Sequence, residues 1–256
     1  MQETFMHVAA YFASLTNGST NAAVTIVSDQ VLPVSGTTAF LMPKPVQLIG
    51  LYSAGVSITD ARINAPSFRY VGFPHAGPAN VTLTVPSPPN ITWWGDMGPT
   101  FQVAEPVTAQ HSLGGAAPEN ETSLIFLQTG PRKTYSGPKY RVRATTAITQ
   151  SAGTWVNGSM VFDDVLPPGI YAVMGIDAVA TNLVAVRLLF PGTFFRPGAL
   201  ARNSVGGVPS PIFTSGDLGC YGVFDSVSPP TLDAYATGAG ASQVIFLDLI
   251  RIRDRP

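Results

Sequence analysis

The sequence predicts an all-β protein built as two tandem, internally duplicated jelly-roll β-barrels. Three observations carry that expectation: the chain repeats itself, it is crowded with helix breakers, and its apolar residues run in short alternating segments. Among 256 residues there are Gly 25 and Pro 23, too many to leave room for long helices. Hydrophobic residues make up 45% and aromatics 10%, so the chain can still bury a core.

The repeat is the strongest of the three. Segment 7–33, HVAAYFASLTNGSTNAAVTIVSDQVLP, lies without a gap on segment 141–167, RVRATTAITQSAGTWVNGSMVFDDVLP. Nine of the 27 positions are identical, from Val8/Val142 and Ala10/Ala144 to Asp29/Asp163, Leu32/Leu166 and Pro33/Pro167; chance would give roughly two. The order then continues. Arg62-Ile63 matches Arg187-Leu188, Phe68-Arg69 matches Phe195-Arg196, Gly95-Asp96-Met97-Gly98 matches Gly216-Asp217-Leu218-Gly219, and 124–127 matches 244–247. Residues 1–130 therefore read as the first barrel, 131–138 as an exposed linker and 139–256 as the second barrel.

The elements follow in chain order. Phe5, Val8, Ala9 and Phe12 have helical spacing, but their repeat partners alternate as Tyr140, Val142, Ala144, Thr146 and Ile148. Alternation with β-branched residues marks a strand, so 5–15 is read as a strand with Met6, Val8, Ala10 and Phe12 turned inward. Further strand-like runs fall at 22–27, 46–52, 80–85 and 123–128, and again at 170–175, 183–190, 219–224 and 243–252. Pro-rich turns separate them, as expected for a sandwich or barrel. Each copy has room for about eight strands, the size of a jelly roll. Phe126 and Phe246 are expected at equivalent inward positions.

Charge is the anomaly. The chain has 14 basic and 15 acidic side chains, 11% charged, where soluble proteins average about 25%. Over roughly 11,000 Å² of surface this is about one charge per 370 Å². Such a surface is either rich in uncharged polar residues or covered by other subunits. A net charge of −1 excludes a globally basic nucleic-acid binder. Apolar runs are too short for a membrane-crossing helix, and 1–7 lack a secretory pattern, so no secretion signal is expected. One cysteine, Cys220, excludes a disulfide framework. His7, His75 and His111 are scattered, and no phosphate-loop, zinc-protease or serine-hydrolase pattern occurs. No enzymatic activity, cofactor or metal is expected.

Some residues still stand out. Asp96 and Asp217 sit in the paired Gly-Asp-x-Gly motifs, which read as tight turns rather than calcium loops because no further acids accompany them. Trp93-Trp94 is a candidate aromatic platform for a sugar, or one core residue beside one covered by a partner. Arg132, Lys133, Lys139, Arg141 and Arg143 lie in a span without acids, and Arg251, Arg253 and Arg255 form a second basic set. Because the first and last strands of a jelly roll are neighbours, Arg141, Arg143, Arg251 and Arg253 are expected to share one positive face toward a genome or an anionic membrane.

Taken with the tandem repeats 7–33 and 141–167 and the paired closing strands, this organisation resembles the major capsid proteins of double jelly-roll viruses. The chain departs from them in its compact size and in the plain sequence similarity of its two halves. The resemblance implies a structural virion protein whose homotrimers form pseudo-hexagonal capsomers of an icosahedral shell. It further implies assembly in the host cytoplasm, contacts with other virion proteins, and a basic patch directed at the genome or an internal lipid membrane. The alternative is a carbohydrate-binding module or lectin, with Trp93 and Trp94 as its stacking site.

Overall fold

The computed structural model describes residues 5–16, 18–29, 31–55, 58–69, 72–76, 91–114, 119–130, 133–203 and 219–254. Among them are strands and two 3₁₀ turns but no α-helix. They divide into two compact units, Val8–Thr129 and Gly130–Pro256, the latter joined by Met1–His7.

The first eleven strands are β1 (Phe5–Leu15), β2 (Ala22–Ala23), β3 (Val34–Ser35), β4 (Ala39–Leu41), β5 (Val46–Ala54), β6 (Ile58–Asn64), β7 (His75–Ala76), β8 (Ile91–Trp93), β9 (Thr100–Phe101), β10 (Pro106–Leu113) and β11 (Glu119–Thr129). The others are β12 (Lys139–Thr145), β13 (Trp155–Gly158), β14 (Val161–Phe162), β15 (Gly169–Ala180), β16 (Leu183–Leu189), β17 (Gly198–Leu200), β18 (Arg202–Asn203), β19 (Gly222–Asp225), β20 (Thr231–Ala236) and β21 (Val244–Asp254).

Early strands form one sheet ordered β1-β11-β5-β8 and another running β4-β10-β6-β7, with β3 beyond β4. Later strands form β12-β21-β15 with β19 on β15, and β13-β20-β16-β17. Setting aside the short β2, β3, β9, β14 and β18, eight strands remain in each set. Both then show the same order, first–eighth–third–sixth in one sheet and second–seventh–fourth–fifth in the other. This is the jelly roll, present twice in one chain as the repeat predicts.

The register shows why these sequences make core. Along β10, Val107, Ala109, His111 and Leu113 are buried and alternate with half-buried or exposed neighbours, the period-2 pattern of a strand with one covered face. On β21, Ile245 and Leu247 are buried while Phe246 between them is half-buried, so Phe246 faces out. Its ring lies 5.1 Å beneath the Arg141 guanidinium. Phe126 is fully buried, and a Cβ on Gly50 would come within 3.4 Å of it and 2.7 Å of Trp93. The two phenylalanines are thus not both inward core residues.

A second correction concerns β1. It is a strand, but every residue from Met6 to Tyr11 is buried, so alternation carries no signal there. Tyr11, not Phe12, reaches the interior. Its ring meets Phe40 edge-on at 5.2 Å, and its hydroxyl donates to the Val107 carbonyl at 2.8 Å. Phe12 stays half-buried.

Candidate functional site

The basic residues of β12 stand on a charge-compensated sheet face. Arg141 opposes Asp248 of β21 directly, and its two terminal nitrogens reach Asp248 at 3.3 Å and Asp177 of β15 at 2.8 Å. Arg202 clasps the same Asp177, its Nε at 2.8 Å from Oδ1 and its Nη2 on Oδ2. Arg143 pairs with Asp163. Burial pushes the Asp248 carboxyl above its ordinary range, with Arg141 pulling it back. Asp177 and Asp248 lie 36 and 107 residues from Arg141, so the acid-free span around Arg141 is not acid-free in space.

The expected single face of four arginines divides. Arg251 pairs with Tyr171 across β15, three residues beyond Asp248 on β21, and three steps along a pleat put it on the other side. There its Nη2 reaches Asp254 at 2.8 Å and the Pro168 carbonyl at 2.6 Å. Arg253 is exposed, as are Lys133 and Lys139. Arg132 and Arg255 lie outside the described residues.

The most deeply buried charge escaped the sequence reading. Arg187 of β16 is fully buried and opposes Asp233 of β20. Its Nη2 lies 2.8 Å and its Nε 3.2 Å from Asp233 Oδ2, so two guanidinium donors converge on one carboxylate oxygen. Arg196 adds a third contact at 2.6 Å, Asn157 donates to Oδ1 at 2.7 Å, and the Trp155 ring lies 3.7 Å from the Arg187 Cζ. Burial raises the Asp233 carboxyl, but Arg187, Asn157 and Arg196 together outweigh it and hold the group below its ordinary value. The first copy repeats the device in weaker form. Arg62 opposes Gln110, donates to its Oε1 at 3.0 Å and lies 5.0 Å from the Phe73 ring.

Gly95-Asp96-Met97 forms a 3₁₀ turn. Gly95 has φ +55°, as expected for a turn glycine, whereas Gly98 is required for close approach: a Cβ there would fall 1.8 Å from the Leu48 carbonyl oxygen. Gln47 ties the turn down by donating to the Asp96 and Gly98 carbonyls at 2.7 and 2.9 Å. Asp217 lies outside the described residues. Among the described residues no three His, Cys, Asp or Glu side chains group as metal ligands. Trp93 and Trp94 are both half-buried, Trp93 covering Gly50. Cys220 donates to the Gly222 carbonyl at 3.3 Å, and burial pushes its thiol up to about 11, which leaves it unreactive at neutral pH.

No protein-family model matches the chain, and no curated protein matches it. Solved structures similar to it include the major capsid protein P2 from Bacteriophage PM2, 11% identical, covering 97% of this chain and 98% of that one with a TM-score of 0.22. The STIV MCP is 8% identical, covering 95% of this chain and 97% of that one with a TM-score of 0.24.

Proposed function

We propose that the chain is a structural, non-enzymatic virion protein, a major capsid protein whose homotrimers are the pseudo-hexagonal capsomers of an icosahedral shell assembled in the host cytoplasm. The observation that carries this reading is the pair of like-ordered jelly rolls in one chain. Three such chains around a threefold axis present six near-equivalent barrels, and six equal units tile a closed lattice. The sparse charge supports it. Arg141, Arg143, Arg202 and Arg251 pair with aspartates of the same chain, and Arg187 and Arg196 share Asp233, so most of this basic charge is already compensated where lateral faces are covered.

The expected result is a stable trimer in light scattering and electron microscopy, each subunit burying more than about 2,000 Å². A monomer at micromolar concentration and neutral pH would overturn the reading. Other virion proteins and an anionic genome or membrane are its further partners, reached through the basic residues. Arg141 and Arg143 hold aspartates, so removing them would disturb the sheet. Lys139→Gln with Arg253→Gln is the cleaner test, because both side chains are exposed, and each lost charge should weaken low-salt binding to anionic liposomes about fivefold. Unchanged binding would reduce both residues to solvated strand ends.

A further inference from the structure

The motif Val-x-Asp-x-Val-Leu-Pro occurs at 27–33 and again at 161–167, and the two copies meet opposite fates. In the first, Val27, Asp29 and Leu32 are buried. Asp29 Oδ1 there accepts the amides of Val31 and Leu32 at 2.9 and 3.0 Å. In the second, Val161 is 66% and Val165 95% exposed, and Asp163 turns aside to Arg143. Asp164 next to it is exposed, and its carboxylate meets no cation among the described residues. Pro167 and Pro168 follow and restrict the backbone. The outcome is a stiff, apolar, anionic ridge that has little freedom to lose on docking.

The first copy carries a surface of opposite character. A groove of about 500 Å³ is walled by Pro66, Phe73 and Pro106, with Asn64 and Thr108 as its polar lining and Arg69 beside them. Arg69 is exposed, and its guanidinium has no acidic partner among the described residues. Arg62 backs the Phe73 ring, adding positive charge behind the wall. The nearby Glu105 is occupied by the Ser67 and Gln102 amides. The groove thus combines polar and apolar lining with the unpaired cation of Arg69, where the ridge combines exposed valines with the unpaired anion of Asp164.

We propose that the Val161–Asp164–Val165 ridge of one copy seats in the Pro66–Arg69–Phe73 groove of a second copy of this chain, with Asp164 facing Arg69. Ridge and groove are different surfaces, so the contact is heterologous: each copy gives one ridge and receives another until a ring closes. The inference rests on the self-assembly reading and assigns it a contact. Both residues are exposed, so Arg69→Asp and Asp164→Arg should keep the parent's circular dichroism and melting temperature. In sedimentation velocity each single reversal should weaken assembly about tenfold to hundredfold, because like charges then meet across the contact. The double reversal, which restores opposite charges, should return the parent's assembly. Val165→Asp provides a charge-independent check and should weaken assembly as well. Single variants that assemble like the parent, or a double variant weaker than both singles, would overturn this contact while leaving the trimer standing. A parent protein that never assembles would overturn the contact and the capsid reading together.

Discussion

Replacing Asp233 with Asn is expected to destabilise the second barrel by about 3–5 kcal/mol, because it leaves a buried cation without its counter-charge. Arg187 has no exposure at all and cannot turn its guanidinium to water. Arg196 converges on the same carboxylate, so the variant also brings two cations together. The Trp155 ring at 3.7 Å compensates only in part, since a cation–π contact supplies about 2 kcal/mol when desolvated. In thermal unfolding the loss should appear as a melting temperature lower by ~10 °C or more. Replacing both partners, Arg187→Leu with Asp233→Leu, should recover much of that loss, because removing a buried pair together avoids the orphaned charge. A single Asp233→Asn variant within about 1 kcal/mol of the parent would mean that water reaches the pair. Acid should act in the same direction. The Asp233 carboxyl is held below its ordinary value, so its contribution is complete above the unfolded value and is lost as pH falls through the folded one.

The duplicated jelly roll was legible because the two copies keep matching residues at matching places in the topology. Arg62-Ile63 and Arg187-Leu188 fall on β6 and β16, the fourth principal strand of each barrel. In both, the aliphatic residue is buried in the core while the arginine bonds across to the seventh strand. What that arginine bonds was not legible. The partner is Gln110 in one copy and Asp233 in the other, so no shared residue marked the position. The same limit hid the ion pairs of Arg141 and Arg202. Their acids come from β15 and β21, and only the register between strands reveals that Asp177 and Asp248 approach Arg141. A basic span read along the chain overstates the positive field wherever neighbouring strands supply carboxylates. On β1 the inward face could not be read because both faces are covered, and a tyrosine hydroxyl that finds a carbonyl can enter a core as readily as phenylalanine.

Lowering the pH from 7 to about 4 is expected to remove about 3 kcal/mol of stability from the first barrel through His111 alone. His111 lies on β10 opposite Ala61 of β6 and is fully buried. Its Nε2 shares a hydrogen bond with the Ser123 hydroxyl at 2.7 Å, and its Nδ1 has no partner among the described residues. Burial therefore lowers its pKa from 6.5 to about 4, a shift that the negative charge of Asp60 on the neighbouring strand only partly opposes. The folded chain keeps the ring neutral where the unfolded chain would protonate it. Stability is complete above pH 6.5, declines as the unfolded state takes up the proton, and is lost by pH 4. Asp233 acts only below the ordinary carboxylate range, so the two groups occupy separate windows. Urea midpoints measured between pH 7 and 4.5 should fall steadily for the parent. His111→Gln keeps a polar side chain opposite Ser123 but cannot titrate, and its midpoint should change much less with pH whatever its stability at neutral pH. An equal slope in the two proteins would place the acid sensitivity on another group.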